Sequence, residues 1–288
     1  MTRAQSPASS QRRLLAAVRE ARETLKLTQK EVAEALDWSV SKLIRIENGS
    51  VGLSTTDLKA LLLQYGITDR DRVEFYVQLS KAGKQPAWWD EYRRHYRSEF
   101  VKFLGLEASA VLVRQFQLLL VPGLLQVPAY SRAVMTKFTT DEERVERGLT
   151  ARATRQHRLD DLELQHFFVI DESVLYRRVT EIDGWRAQLL RLKTVAEQPN
   201  ATIQILPFKA GFLPGMRSSF QVLELSEELD DLFLTVEQPD GDVYYDDAAG
   251  ADKAAEFVKI FYQLEEAALP PEETPRVIDK ALAGLEEE

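Results

Sequence analysis

The segment TQKEVAEALDWSVSKLIRIENG, residues 28–49, contains two short amphipathic helical patterns separated by a break of three or four residues. Thr28 precedes the first pattern, and Glu31 lies three residues later, the spacing of a capping box. Ser39 stands at the N-cap position of the second pattern. Two capped helices joined by so tight a break favour a helix-turn-helix motif.

The packing of two such helices restricts the residues between and within them. Ala33 lies where the second helix crosses the first, and a larger side chain would push them apart. The turn position usually held by glycine is Asp37, which can enter the left-handed region at modest cost. The shared core is predicted to consist of Val32, Leu36, Trp38, Leu43 and Ile46.

Helical periodicity continues on both sides of this motif. Residues 12–82 contain five predicted helices, and the Ser/Pro-rich arm at residues 1–11 is expected to be flexible. Residues 83–89 are interpreted as a joint between two domains, where Trp88 and Trp89 would pack. The first domain is therefore predicted to be an all-α, five-helix helix-turn-helix domain.

A second pattern begins near residue 90 and extends to residue 267. Strand patterns occur at residues 110–122, 164–171, 201–208, 219–225, 232–238 and 241–246, with helical patterns between and after them. This order favours an α+β domain with a mainly antiparallel sheet. The Pro-rich, acidic tail at residues 268–288 is expected to be disordered.

Charge is distributed unevenly along the chain. The formal net charge is −9, but residues 1–70 hold 11 basic and 8 acidic side chains, a net charge of +3. The remainder holds 26 basic and 38 acidic side chains. The first domain can therefore approach phosphate, whereas the second should be repelled by it.

Several functional classes are disfavoured by composition. The chain has no cysteine, three histidines, and none of the usual metalloprotease, serine hydrolase or P-loop motifs. It also lacks an apolar run of the roughly 20 residues that span a bilayer. We therefore expect a cytoplasmic, nucleoid-associated protein that is not an enzyme, does not bind a membrane and needs no cofactor or metal.

The first domain resembles the Xre-type regulators related to phage repressor and Cro proteins, over about residues 12–66. The resemblance implies binding to double-stranded DNA, and it implies an ion pair between Arg22 and Glu47. The residues that it implies for reading bases are Val40, Ser41, Lys42 and Arg45. The residues that it implies for contacting phosphate are Thr28, Gln29, Ser39 and Asn48. Because one recognition helix makes too few contacts for useful specificity, we also expect a homodimer on an inverted repeat.

The second domain also resembles a known group, the antitoxin-like or WhiJ-type C-terminal domain of actinobacterial regulators. The segments VPGLLQVPAYSRAV, VIDESVLYR and IQILPFKAGF carry this resemblance. It implies that the domain binds a small protein encoded nearby. We further expect that this partner modulates DNA binding and that the homodimer is held through the second domain. The candidate partner or ligand surface comprises Leu124, Leu125, Gln126, Tyr130, Trp185, Phe208 and Phe212.

An alternative function is that of a one-component transcription factor that senses a small molecule. In this hypothesis the aromatic residues of the second domain line an apolar pocket instead of filling a core. These residues are Trp185, Phe208, Phe212, Phe220, Tyr244 and Tyr245. A protein partner would require an exposed apolar patch, whereas a sensor would require an enclosed cavity.

Overall fold

The computed structural model describes residues 7–49, 51–226, 231–245 and 248–285. The chain divides into two units, residues 1–109 and residues 110–288. The first is helical and the second combines a sheet with helices, which confirms the predicted two-domain architecture. The division falls between Ser109 and Ala110 and not within residues 83–89, because residues 83–109 pack with the first unit.

The described part of the first unit is built from six α-helices and a 3-10 helix over Trp88–Arg94. The α-helices are α1 (Pro7–Thr24), α2 (Gln29–Ala35), α3 (Val40–Glu47), α4 (Thr55–Gln64), α5 (Arg70–Ala82) and α6 (Ser98–Glu107). Leu14 and Val18 of α1 join Leu43 of α3 and Leu58 of α4 in one buried cluster. The helix-turn-helix is thus α2 and α3, packed on the long first helix.

Residues 1–11 were predicted to be a flexible arm, and this prediction is wrong for residues 7–11, which the structure describes. α1 begins at Pro7, and Ser10 is fully buried. The backbone of Gln11 lies so close to Gly83 that a Cβ at Gly83 would stand 3.3 Å from Gln11 Cα. Tertiary packing therefore orders a polar segment that has little apolar periodicity of its own.

Trp89 packs inside the first unit and does not mark its end. It is buried, and a Cβ placed on Gly105 of α6 would lie 3.2 Å from Trp89 Cε2 and 2.8 Å from Ala8 Cβ. Only glycine allows α1, α6 and the indole to approach this closely. The interpretation of residues 83–89 as a joint is therefore corrected: this segment leads into the last helix of the same unit.

The second unit contains the six strands predicted from the sequence and five α-helices in its described residues. The strands are β1 (Leu112–Gln117), β2 (Gln165–Asp171), β3 (Ala201–Leu206), β4 (Phe220–Glu224), β5 (Leu232–Val236) and β6 (Val243–Tyr245). The helices are α7 (Pro128–Met135), α8 (Glu142–Gln156), α9 (Ile182–Ala196), α10 (Ala248–Ala267) and α11 (Thr274–Gly284).

The strands form one mixed sheet in the order β3-β2-β1-β4-β5-β6. β1, β2 and β3 are parallel, because the chain crosses between them through helices, while β4, β5 and β6 pair antiparallel. β5 and β6 form an antiparallel hairpin, with Gly241 between them at a φ of 115°. Three of the five pairings are antiparallel, as the prediction of a mainly antiparallel sheet requires, and the two parallel pairings join β1, β2 and β3.

Both faces of the sheet are covered. On one face, Phe168 and Ile170 of β2 pack with residues of α9 and α11. On the other face, Val169 packs with Phe261 and other residues of α10. The alternation along β2 is that of a strand buried on both sides.

The tail predicted to be disordered carries α11. Ile278 is fully buried against the first face of the sheet, and Thr274 Oγ1 donates a 2.6 Å hydrogen bond to the carbonyl oxygen of Ile203. Lys193 of α9 pairs with Asp279 at 2.7 Å. The described part of the tail, to residue 285, is ordered because it closes the core over β3, an interaction distant in sequence.

Candidate nucleic-acid interface

The turn between α2 and α3 has the predicted geometry. Asp37 adopts a φ of 55°, in the left-handed region. The Trp38 amide donates a 2.8 Å hydrogen bond to the carbonyl oxygen of Ala33, which closes the turn. Ala33 and Leu43 have no exposed surface, so the crossing of the two helices is tightly packed.

Both helices of the motif carry the predicted caps. The Thr28 hydroxyl accepts from the Glu31 amide, and the Glu31 carboxylate accepts from the Thr28 amide at 2.8 Å, which completes the capping box. The backbone hydrogen bond from Thr28 lowers the pKa of Glu31. Ser39 Oγ accepts from the Lys42 amide at 3.1 Å. The Thr28 hydroxyl also donates to the Glu31 carboxylate, so in this structure its one O–H donor is engaged.

The ion pair predicted between Arg22 and Glu47 is present. Arg22 Nε donates to Glu47 Oε1 at 2.7 Å, and Arg22 Nη2 donates to Glu47 Oε2 at 3.1 Å. This hydrogen bonding raises the pKa of Arg22, despite the opposing effect of burial. Gln29 Nε2 adds a third donor at 2.8 Å from Oε2. The end of α3 is thus fixed to α1 and α2, and one Gln29 N–H remains for other partners.

Arg19 is a member of this region that the sequence analysis missed. Its Nη2 atom lies 3.4 Å from the Glu47 carbonyl oxygen and 3.3 Å from Asn48 Oδ1. Arg19 precedes Arg22 by three residues, so both lie on the same side of α1. The three-residue spacing from Arg22 could have indicated this position from the sequence. Arg19 adds a second cation beside the C-terminal end of α3.

The outward face of α3 carries a stripe of exposed side chains. Val40, Ser41, Arg45 and Asn48 are exposed, as expected for the predicted DNA contacts. The Arg45 side chain has no hydrogen bond or ion pair with the residues that the structure describes. Ile44 lies within the same stripe and was not predicted, although its position four residues after Val40 could have indicated it.

Lys42 lies at the edge of this stripe and is held by neighbouring side chains. Its Nζ atom is 3.0 Å from Asp57 Oδ1 at the start of α4 and 3.8 Å from the centre of a Trp38 ring. Burial raises the pKa of Asp57, but hydrogen bonds from Lys42 and Ser54 outweigh it, and the net change is downward. Lys42 is therefore partly neutralised, unlike Arg45.

Five of the seven residues predicted to form a partner or ligand surface on the second unit are buried. The prediction of an exposed surface is therefore wrong for these five. Four of them, Leu124, Leu125, Tyr130 and Trp185, belong to the core between the sheet and α9, where the Tyr130 and Trp185 rings stack 5.9 Å apart. The Tyr130 hydroxyl accepts from the Val121 amide at 3.0 Å. The buried residues are Leu124, Leu125, Gln126, Tyr130 and Trp185. Phe208 and Phe212, by contrast, are 62% and 75% exposed.

The six aromatic residues proposed to line one pocket do not come together. Trp185 belongs to the core on one face of the sheet, and Phe220 belongs to the core on the other. A pocket of about 250 Å³ does lie along α7 and α8, where Ser131 and Gln156 contribute to its wall together with Gln126 of the predicted surface. None of its lining residues is aromatic. The prediction that these aromatic residues line one pocket is therefore wrong.

Neither a membrane-spanning helix nor a metal-binding cluster occurs in the described residues. None of the helices there has the combination of length and apolar character that crossing a bilayer requires. No group of three or more His, Asp or Glu side chains in those segments is arranged to hold a metal ion.

Comparison with known families assigns both units. Residues 13–75 match a helix-turn-helix domain family, which spans α2 and α3. Residues 100–280 match a family described as a domain of unknown function, DUF5753. No curated protein and no solved structure matches the chain. Because the second match covers well over half of the 288 residues, the chain belongs to the DUF5753 family and carries a helix-turn-helix domain ahead of that domain.

Proposed function

We propose that this chain is a sequence-specific transcriptional regulator of the Xre type that inserts α3 into the major groove of duplex DNA. The observation that carries the proposal is the exposed stripe of α3, with Ser41 and the unpaired Arg45 at its centre. The opposite side of α3 is buried, and its end is fixed by Arg22 and Glu47. A rigid helix with one polar, exposed face suits recognition of base edges.

Different roles are proposed for the residues around α3. Ser41 and Arg45 would contact base edges, and arginine pairs well with guanine. Gln29, Ser39 and Asn48 would contact phosphate and set the orientation of the helix without reading sequence. The net charge of +3 on residues 1–70 favours the approach to DNA, although Lys42 contributes less while Asp57 holds it.

The test compares base-reading with phosphate-contacting variants of the full-length chain. An operator is first selected from a random duplex pool, and affinities for operator and random DNA are measured at one salt concentration. Arg45→Ala should weaken operator binding by about 1–3 kcal/mol and leave random DNA nearly unaffected. Gln29→Ala should weaken both by a similar factor. Arg72→Ala, which removes an exposed cation of α5, is the control for losing a positive charge away from α3.

The selectivity of Arg45→Ala decides the outcome. Equal losses on operator and random DNA would mean that another face of α3 enters the groove. Ser41→Ala should follow Arg45→Ala in selectivity, with a smaller loss. Failure to select any preferred duplex would contradict sequence-specific recognition altogether.

We propose further that two copies of the chain act together. One recognition helix makes few contacts, whereas specific binding needs about 4–10 kcal/mol beyond non-specific binding. A homodimer formed through the second unit would read an inverted repeat with half-sites about 10–10.5 base pairs apart, or a multiple of it. Sedimentation of the protein alone and on its operator measures the stoichiometry, and one chain per operator would refute the dimer.

The second unit is proposed to receive a signal from a small protein encoded nearby, as in the antitoxin-like regulators that it resembles. The support is its length and the two exposed phenylalanines, Phe208 and Phe212, since a protein partner needs an exposed apolar patch. A signal acts only if the partner binds better to one state of the dimer than to another. Operator affinity with and without the purified neighbour tests this, and Phe212→Ser should abolish any effect.

The same experiment also tests the hypothesis that the chain senses a small molecule. If the neighbouring protein does not associate in calorimetry or co-elution, a metabolite library is tested by thermal shift on the full-length chain. A ligand that stabilises the chain and changes operator affinity would replace the partner proposal. The pocket along α7 and α8, and not an aromatic cavity, is where such a ligand would be sought. In either case the proposed place of action is the nucleoid in the cytoplasm.

A further inference from the structure

The outward stripe of α3 contains two aliphatic side chains that the core does not account for. Val40 and Ile44 are each 37% exposed, whereas Leu43 and Ile46 on the other side of the helix are at most 1% exposed. Residues four apart in a helix are neighbours on its surface, with Cβ atoms about 5–6 Å apart. Val40 and Ile44 therefore form one continuous apolar strip beside Ser41 and Arg45.

Neither helix formation nor solvation favours these two residues at exposed positions. β-Branched side chains lose rotamer freedom in a helix, and straight-chain polar residues would stabilise an exposed turn better. A single exposed aliphatic residue is ordinary on a protein surface. Here two of them lie together, on the face that is proposed to meet DNA and beside Ser41 and Arg45, which can donate hydrogen bonds to it. A role in the bound state explains why this face is apolar at these two positions.

The major groove offers one apolar group to such a strip. The edges of guanine, cytosine and adenine present hydrogen-bond donors and acceptors there, whereas thymine adds its C5-methyl group. Covering a donor or acceptor with an aliphatic side chain leaves it unsatisfied and costs free energy. Contact with a thymine methyl instead buries apolar surface on both sides, at about 0.8 kcal/mol for each methyl-sized group, or about a fourfold change in affinity.

On the basis of the proposed function, we propose that Val40 and Ile44 read thymine C5-methyl groups. Four residues advance about 6 Å along an α-helix, and base pairs are stacked about 3.4 Å apart. The strip therefore spans about two base-pair steps when α3 lies along the groove. Each half-site of the operator should then carry thymines at two positions about two base pairs apart, next to the base that Arg45 reads.

The test replaces thymine by deoxyuridine, which removes the methyl group and keeps every hydrogen-bonding atom. With the operator selected by the full-length chain, each thymine of a half-site is replaced in turn and the Kd is measured at fixed salt. We expect a loss of about fourfold at each of two positions. The Ile44→Ala chain should lose the uracil penalty at one of them, and the Val40→Ala chain at the other. Leu63→Ala, which truncates an exposed leucine of α4, should keep both penalties.

The possible results separate this inference from the proposed function. An operator that wild-type protein binds equally well with uracil overturns the inference and leaves the function standing. Uracil penalties that persist unchanged in Ile44→Ala and Val40→Ala also overturn it, since other atoms would then contact the methyl groups. If no preferred duplex is selected, the proposed function fails and the inference fails with it. The uracil measurement on wild-type protein needs no variant, so misfolding of a variant cannot obscure the result.

Discussion

Arg22 Nε lies 2.7 Å from Glu47 Oε1, and the Glu47 side chain is completely shielded from solvent. This pair joins α1 to the last turn of α3, and Gln29 completes the donors around the carboxylate. The acid at the end of the proposed recognition helix is thus turned inward. It does not face the phosphate that the outward stripe would meet, and it holds α3 at a fixed angle on the first unit.

Arg22→Ala should destabilise the first unit by about 3–5 kcal/mol, because it leaves the Glu47 carboxylate buried without its cation. Urea denaturation of the full-length chain, followed by far-ultraviolet circular dichroism, measures the loss. Arg22→Met combined with Glu47→Leu removes both charges and should recover most of the stability. A loss below about 1 kcal/mol for Arg22→Ala would mean that water or another cation compensates Glu47.

Tyr65 should make stability depend on pH in alkaline solution. Burial, followed by the charge of Glu47, raises its pKa from 10.0 to about 12. A raised pKa means that the neutral phenol stabilises the native state fully below pH 10, and that this contribution disappears as pH rises toward 12. At pH 11.5 the loss should be about 2 kcal/mol relative to pH 8.

The Tyr65→Phe chain isolates this effect, because every other titrating group is common to both proteins. The difference in unfolding free energy between wild type and variant should be constant up to pH 9.5 and then shift against wild type. A difference that stays constant to pH 11.5 would show that Tyr65 ionises in the native state as easily as in the unfolded state.

The pair between Lys42 and Asp57 should limit DNA affinity. Its atoms are 3.0 Å apart and both side chains are partly exposed, so breaking it costs no more than about 1 kcal/mol. Asp57→Asn should release Lys42 toward DNA and raise affinity on all sequences by up to about fivefold. The same substitution in a Lys42→Ala chain is the control. An equal gain in both backgrounds would mean that Asp57 acts through its own charge and not through Lys42.

The local features of the helix-turn-helix were predictable because they depend on near neighbours in sequence. A cap, a residue of small volume and a left-handed turn each act within a few residues, and Thr28, Ala33 and Asp37 have the predicted geometry. The strands were predictable for a similar reason, since each strand is a short segment in which apolar and aromatic residues recur. Lys42 was less predictable, because Asp57, which holds it, lies on another helix.

The errors concern burial and pairing over long sequence distances. The motif at residues 124–130 has apolar residues that suit a surface or a core equally well, and only the fold places Tyr130 on Trp185. The two parallel pairings, β1 with β2 and β2 with β3, depend on which strands lie side by side, and no single strand encodes that choice. Ile44 was overlooked because an isoleucine next to core positions is usually assigned to the core.

The C-terminal tail was expected to be disordered for the same reason: contacts distant in sequence hold its helix, α11, against the core. Ile278 of α11 has no exposed surface and packs with residues of α9 and β3. Ile278→Ala should therefore lower the unfolding free energy by about 2–5 kcal/mol, through lost burial and the cavity that remains. Lys280→Ala, on the exposed side of the same helix, should change it by less than about 0.5 kcal/mol. Thermal and urea denaturation of the full-length chain measure both, and similar small effects for the two variants would mean that α11 does not contribute to the core.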